Sequence, residues 1–212
     1  MVHGRSMQIS LQNIGRRFNR EWIFRGIDYT FEGAGSYAIL GANGSGKSTL
    51  LQVLNGSLVP SAGTITYTNG VAVIDPGDIF NYLSLAAPYL EVIEDFTLNE
   101  MIDFHFRFKP YRQEMDKEAV AGILNLQGSR NKAIRYFSSG MKQRLKLALA
   151  FCADTPILML DEPTANLDNQ GIDWYLGLIE QYSAGRLTII CSNQQHEYSF
   201  CTNTLSIADY KS

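Results

Sequence analysis

Cysteine is scarce: 212 residues hold three, Cys152, Cys191 and Cys201. Their spacing fits neither metal-ligand pairs nor a disulfide framework. They read as small buried hydrophobes in a reducing compartment. No apolar run approaches the roughly 18–20 residues that a membrane span needs. A soluble cytoplasmic chain is the expectation, and any spanning part of a membrane system would be another polypeptide. No apolar h-region follows Met1-Val2-His3-Gly4-Arg5-Ser6, which excludes a secretory signal. Residues 1–6 read as a start-site extension, with Met7 opening the first strand. Excess charge is lacking too. A net charge of −3 gives no electrostatic case for general nucleic-acid binding, and no nucleic acid is expected as a partner. Long linkers, repeats and low-complexity tracts are absent. What remains is ordinary globular composition, 45% hydrophobic and 18% charged. The length suffices for one well-cored α/β domain, or a core plus a subdomain.

The most informative stretch present is Gly41-Ala42-Asn43-Gly44-Ser45-Gly46-Lys47-Ser48. It fits the P-loop pattern, two glycines followed by Lys and Ser at fixed spacing. The polyphosphate of a nucleotide such as ATP carries several charges on crowded oxygens. Small residues let successive backbone N–H groups turn inward around them. Lys47 would place a point charge on the β/γ-phosphates, and the Ser48 hydroxyl would hold Mg²⁺. Ser36 to Leu40 reads as a buried strand entering the loop. Thr49 to Leu54 reads as the helix leaving it, whose dipole also favours an anion.

Strands are expected at Met7–Leu11, Gly26–Phe31 and Gly63–Tyr67, so the amino-terminal part is strand-rich. From Leu98 to Leu126 the pattern turns helical. Met101, Ile102, Phe104 and Phe108 recur at helical spacing, and a second helix is expected over Gln113–Leu126, after Pro110. These residues read as core packing of a helical insertion. Gly140–Ala153 and Gly171–Tyr182 read as helices. Ile157–Leu160, Leu187–Cys191 and Thr204–Ile207 read as buried strands.

Ile157-Leu158-Met159-Leu160 runs into Asp161-Glu162, putting two carboxylates at the carboxyl end of a buried strand. Ligands of open α/β sheets sit at that edge. Asp161 is suited to hold Mg²⁺ through water beside Ser48. Glu162 is suited to accept a proton from, or orient, the water that attacks the γ-phosphate.

Tyr136-Phe137-Ser138-Ser139-Gly140-Met141-Lys142-Gln143-Arg144 lies some twenty residues before the acidic pair. Alone, Ser-Ser-Gly before a helix is an N-cap. At this position it is similar to the signature usually written LSGGQ. With the P-loop, Thr49, the acidic pair and Ala165-Asn166-Leu167-Asp168, which resembles a D-loop, the chain resembles the ATP-binding subunits of ABC transporters over almost its whole length from Met7. The implied fold is α/β: a P-loop NTPase core with an amino-terminal antiparallel β region and a helical subdomain, about 85–150, inserted in one nucleotide-binding domain over 7–212. In that family Ser138, Ser139, Gly140 and Met141 of one subunit would touch the γ-phosphate bound by the other. The resemblance therefore implies two ATPs between two nucleotide domains, the second a copy or a relative. It also implies a separate integral membrane subunit, with this chain on the cytoplasmic face. Phe18 stands where the family stacks an aromatic ring on adenine. The chain ends soon after its last strand, so no appended regulatory domain is expected.

Two family residues are missing. At the Q-loop glutamine stands Ala87 or Pro88, with Glu91 or Glu94 near enough to substitute and Tyr89 a candidate membrane-subunit contact. At the switch histidine stands Asn193, which can donate to a γ-phosphate but cannot titrate. His196, three residues on, is expected as an exposed helix residue. These losses put rate in question before binding. A soluble ABC-type ATPase, or an ATP-dependent regulatory sensor with weak hydrolysis, is the alternative to a transport motor.

Overall fold

A computed structural model describes residues 7–211; the start-site extension read at residues 1–6 lies outside the described residues. The described chain forms two compact units. The first holds the described residues up to Leu83, Pro156–Asp161 and those from Gly185 onward; the second holds Ser84–Thr155 and Glu162–Ala184.

In the first unit, β1 (Met7–Phe18) pairs antiparallel with β2 (Glu21–Glu32) on one side and β4 (Ala62–Asn69) on the other. A short β5 (Ala72–Ile74) pairs with β4. Met7, Ile9 and Leu11 face inward in strict alternation and are buried, which is why this end reads clearly in sequence. Beyond Leu11 the register with β2 shifts three times. Bulges break the period of two, so the strands run well past the Met7–Leu11 and Gly26–Phe31 segments expected from alternation. Asn19, at φ 54°, turns β1 into β2, a conformation asparagine tolerates.

The parallel sheet carries β7 (Ile157–Asp161), β8 (Leu187–Ser192), β3 (Ser36–Leu40) and β9 (Asn203–Ser206) in that order. Every residue of β7 and β8 is buried, as expected of parallel strands covered on both faces. Helix α1 (Lys47–Leu54) follows β3, and the four-residue α6 (Gln195–Tyr198) follows β8. At β6 (Leu83–Ala86) the chain passes from the first unit to the second.

The second unit is helical: α2 (Leu98–His105), α3 (Lys117–Leu124), α4 (Ser139–Cys152) and α5 (Asn169–Tyr182). Leu98, Ile102, Val120, Leu124, Leu145 and Ala148 form a core with no exposed surface. A capping box starts α2. Thr97 Oγ1 accepts from the Glu100 N–H, and Glu100 accepts from the Thr97 N–H at 2.8 Å, which lowers the Glu100 carboxyl pKa. The helix stops at His105, so Phe108, expected on the core stripe, is 69% exposed. Tight turns follow (Phe108 N–H to His105 O, 3.1 Å), because Pro110 cannot continue a helix and disfavours helical geometry at Lys109. Asp116 caps α3 and Asn125, at φ 53°, ends it. The helix is thus shorter than the expected Gln113–Leu126. Cys152 and Cys191 are buried as expected. Cys201, in the turn between α6 and β9, is half-buried, with its thiol pushed up to about 12 by burial.

Burial, aided by the charge of Lys109, pushes the His105 imidazole down to about 4. The unfolded chain therefore binds a proton that the fold rejects, and stability falls as pH drops from about 6.5 to 4. The expected loss from this group between pH 7 and pH 4 is about 3 kcal/mol. Thermal unfolding at both pH values should show a smaller acid loss in His105→Gln than in the parent.

Candidate functional site

Parallel register gathers three loops at one edge of the first unit. Leu40, the last residue of β3, lies opposite Ser192, the last of β8, and Asp161, the last of β7, lies opposite Cys191. The P-loop, the acid Asp161 and Asn193 thus leave the carboxyl ends of neighbouring strands, where α/β sheets place ligands.

Gly46 closes the P-loop at φ 107°, and a Cβ there would lie 2.5 Å from Ile23 Cγ2. Glycine is required by both conformation and space. No side chain caps α1, so its first N–H groups are left for an anion. Lys47 is 4% exposed. Its ammonium donates to the Gly41 and Ala42 carbonyls at 2.9 and 3.1 Å, which curls it over the loop. Ser45 Oγ is buried without a hydrogen-bond partner among the described residues. A buried orphan hydroxyl in such a loop fits a phosphate oxygen. Ala42, Asn43 and Gly44 are exposed at the tip, and Thr49 is half-buried on α1.

For Mg²⁺ the candidates are the half-buried Ser48 hydroxyl and the Asp161 carboxylate, 1% exposed. Both are hard oxygen donors, the set Mg²⁺ prefers when phosphates and water complete its shell. No cluster of three His, Cys, Asp or Glu side chains able to hold a metal occurs among the described residues. This donor set fits Mg²⁺ bound alongside a nucleotide.

Asn193 is exposed, and its Nδ2 donates to Asn43 Oδ1 at 2.8 Å. His196 lies on α6 as expected, but it is half-buried where an exposed residue was expected. Phe18 is 47% exposed and not a core ring, and the Arg16 guanidinium sits 4.6 Å from its centroid. Arg16 also donates to Val59 O at 2.9 Å, fixing the cation against the ring.

Glu162 begins the second unit's share of the acidic loop. It is half-buried at φ 43°, a left-handed conformation costing a non-glycine residue about 1–2 kcal/mol. Pro163 disfavours the right-handed helical alternative before it. The buried Gln143 amide donates to Pro163 O at 2.8 Å and ties the loop to α4.

Ser138 caps α4, accepting from the Met141 N–H at 3.2 Å, and Ser139, Gly140 and Met141 form the first turn. A Cβ on Gly140 would lie 3.0 Å from Asn166 O, so the glycine admits the D-loop backbone. Asp168 caps α5 through the Gly171 N–H at 2.7 Å. Ser138, Ser139, Gly140, Arg144, Asn166 and Asp168 line one cavity of about 370 Å³. Arg144 lies 3.7 Å from Asp168 and 5.3 Å over the Trp174 ring. Arg144 and Asn166 belong to motifs legible in the sequence, yet no role is readable for them there; a cation one turn into the signature helix, with an acid in the D-loop, is the available signal.

In the Q-loop segment Ala87 is buried, and its carbonyl accepts from Lys146 Nζ at 3.1 Å. Burial lowers the Lys146 pKa. Glu94 pairs with Lys142. Pro88, Leu90, Glu91, Glu94, Lys142 and Lys146 line a second cavity of about 340 Å³, with Tyr89 40% exposed.

Residues 24–165 match the model of the ABC transporter family. The chain belongs to that family. It is 29% identical over 194 residues to the cytochrome c biogenesis ATP-binding export protein CcmA of Rhizobium etli, covering 89% of each chain. A putative ABC transporter ATP-binding protein from Pyrococcus furiosus superposes with a TM-score of 0.80 at 18% identity, over 97% of this chain and 100% of that one. The dimeric structure of MJ0796, a bacterial ABC transporter cassette, gives 0.78 at 19% identity, over 94% of each. The fold is that of a P-loop NTPase: an ABC cassette with an antiparallel and a parallel sheet.

In this ABC cassette the φ of Glu162 yields a stability test. Glycine pays no Cβ penalty there, so Glu162→Gly should be more stable than Glu162→Ala by about 1 kcal/mol, measured by denaturant unfolding.

Proposed function

We propose that this ABC cassette is the ATP-hydrolysing motor subunit of a multi-component transporter. It works as a nucleotide sandwich with a copy or relative of itself, docked through a separate integral subunit on the cytoplasmic face of a membrane. The observation that carries this is that the candidate phosphate-binding parts fall in two different units. The P-loop with Lys47 belongs to the first unit, whereas the Ser138–Gly140 turn and Asp168 line a cavity of the second that holds no P-loop residue. A cavity of hydroxyls and a helix N-terminus suits the far side of a triphosphate held by another subunit. That CcmA is an export protein and MJ0796 a dimeric cassette supports the reading. No helix among the described residues is long and apolar enough to cross a membrane, so the spanning part falls to a partner. The exposed Tyr89 and the cavity beside it are the surface offered to that partner.

Gly41–Thr49 would hold the phosphates, with Lys47 turning from its two loop carbonyls to the β/γ oxygens and Phe18 stacking the base. Ser48 and Asp161 would hold Mg²⁺, which would supply neutralisation of the phosphate charge when bound. Glu162 takes the proton of the water whose oxygen bonds to the γ-phosphorus as the bond to the β-phosphate oxygen breaks. Asn193 donates to the γ-phosphate, and Ser138, Ser139, Gly140 and Met141 of the opposing subunit close over it. ATP binding favours the closed pair, and hydrolysis releases it. Turnover is slow alone, because neither Ala87 nor Pro88 offers a polar side chain and Asn193 cannot titrate. Those two positions also favour a second reading, a sensor that binds ATP with weak hydrolysis.

Glu162→Gln is the test. It should bind ATP as the parent does while turnover falls by about 10²-fold or more, measured by phosphate release and equilibrium binding. Equal turnover in both proteins would place water activation elsewhere.

A further inference from the structure

Glu197 is a carboxylate with no exposed surface, carried on α6 in the first unit. A buried carboxylate is costly unless hydrogen bonds hold it. The Ser192 hydroxyl, at the end of β8, donates to Glu197 Oε2. Ser192 Oγ in turn accepts from the Gln194 N–H at 2.8 Å. These bonds fold the chain tightly around the one residue between them, Asn193. Its side chain is delivered outward to the P-loop, where Nδ2 donates to Asn43 Oδ1 at 2.8 Å.

This pairing fixes what the two amides offer an anion. An amide has a donor end and an acceptor end, and a phosphate is repelled by the second. Asn43 Oδ1 is occupied by Asn193, which leaves the Asn43 NH₂ as its free end. Asn193 Nδ2 retains a second N–H. Paired, the side chains present donors from two loops that share the carboxyl edge of the sheet.

We propose that Asn43 and Asn193 act as one coupled reader of the terminal phosphate, separating nucleoside triphosphate from diphosphate, and that Glu197 is a positioning residue acting through Ser192. This rests on the reading of Asn193 as the γ-phosphate contact. It adds that the contact is shared with Asn43 and governed from beneath by a buried acid.

The test is a double-mutant cycle in the Glu162→Gln background, with Kd for Mg-ATP and Mg-ADP measured by calorimetry. Asn43→Ala and Asn193→Ala should each weaken ATP by about 3–10-fold, the worth of one exposed hydrogen bond, and leave ADP unchanged. The double variant should lose no more than the weaker single variant. Glu197→Ala should lose the same ATP preference, and Glu197→Gln should keep it, because its amide oxygen still accepts from Ser192. Additive losses, equal weakening of ADP, or an unaffected Glu197→Ala would overturn the proposal. If Glu197→Ala does not fold, the asparagine cycle, on two exposed residues, decides alone. Failure of the underlying reading is distinct: Asn193→Ala alone would then bind Mg-ATP as tightly as the Glu162→Gln background.

Discussion

A triphosphate concentrates its charge on oxygens too crowded for side chains alone to reach, so it must be met by backbone. That constraint shapes the first unit. Only a glycine-rich turn can bend N–H groups inward, and Gly46 shows how little room is left, with Ile23 Cγ2 at 2.5 Å from where a Cβ would sit. A loop so bent needs rigid ends. β3 supplies one, hydrogen-bonded on both sides by β8 and β9, and α1 supplies the other. Lys47, 4% exposed and bound to its own loop carbonyls, is a charge held at the loop, suited to a phosphate.

The same sheet supplies the remaining groups without further machinery. Parallel strands end at one edge, so the register that sets Leu40 against Ser192 and Asp161 against Cys191 also brings the P-loop, the metal-suited acid and the switch turn together. β7 and β8 are fully buried, with side chains alternating between two covered faces of the sheet. The second unit solves a separate problem, presenting the serine turn of α4. Its apolar core holds the helix, Ser138 caps it, and Gly140 lets the Asn166 carbonyl pass within 3.0 Å of where a Cβ would sit.

Much of this was legible in the sequence because phosphate chemistry restricts residue types at fixed spacing. The P-loop follows β3, the Asp161-Glu162 pair follows the apolar run of β7 and the serine turn opens α4, and β3, β7, β8, α4 and α5 lie within a residue or two of their expected bounds. The misses have local causes. Bulges after Leu11 break alternation and hide the far half of β1. Pro110 acts one turn ahead of itself, ending α2 at His105 and leaving Phe108 outside. Other features needed contacts distant in sequence: the Asn43–Asn193 pair spans 150 residues, and Arg144 meets Asp168 only once α4 and α5 are packed. The strain at Glu162 is a backbone property that no residue pattern announces.

The most direct measurement is equilibrium binding of Mg-ATP to the parent and to Lys47→Ala, with folding of both checked by circular dichroism. If backbone and Lys47 together grip the phosphates, the parent binds and the variant loses affinity by about 10²-fold or more, as loss of a buried charge-assisted contact implies. Equal affinity in two folded proteins would contradict a phosphate site at this loop.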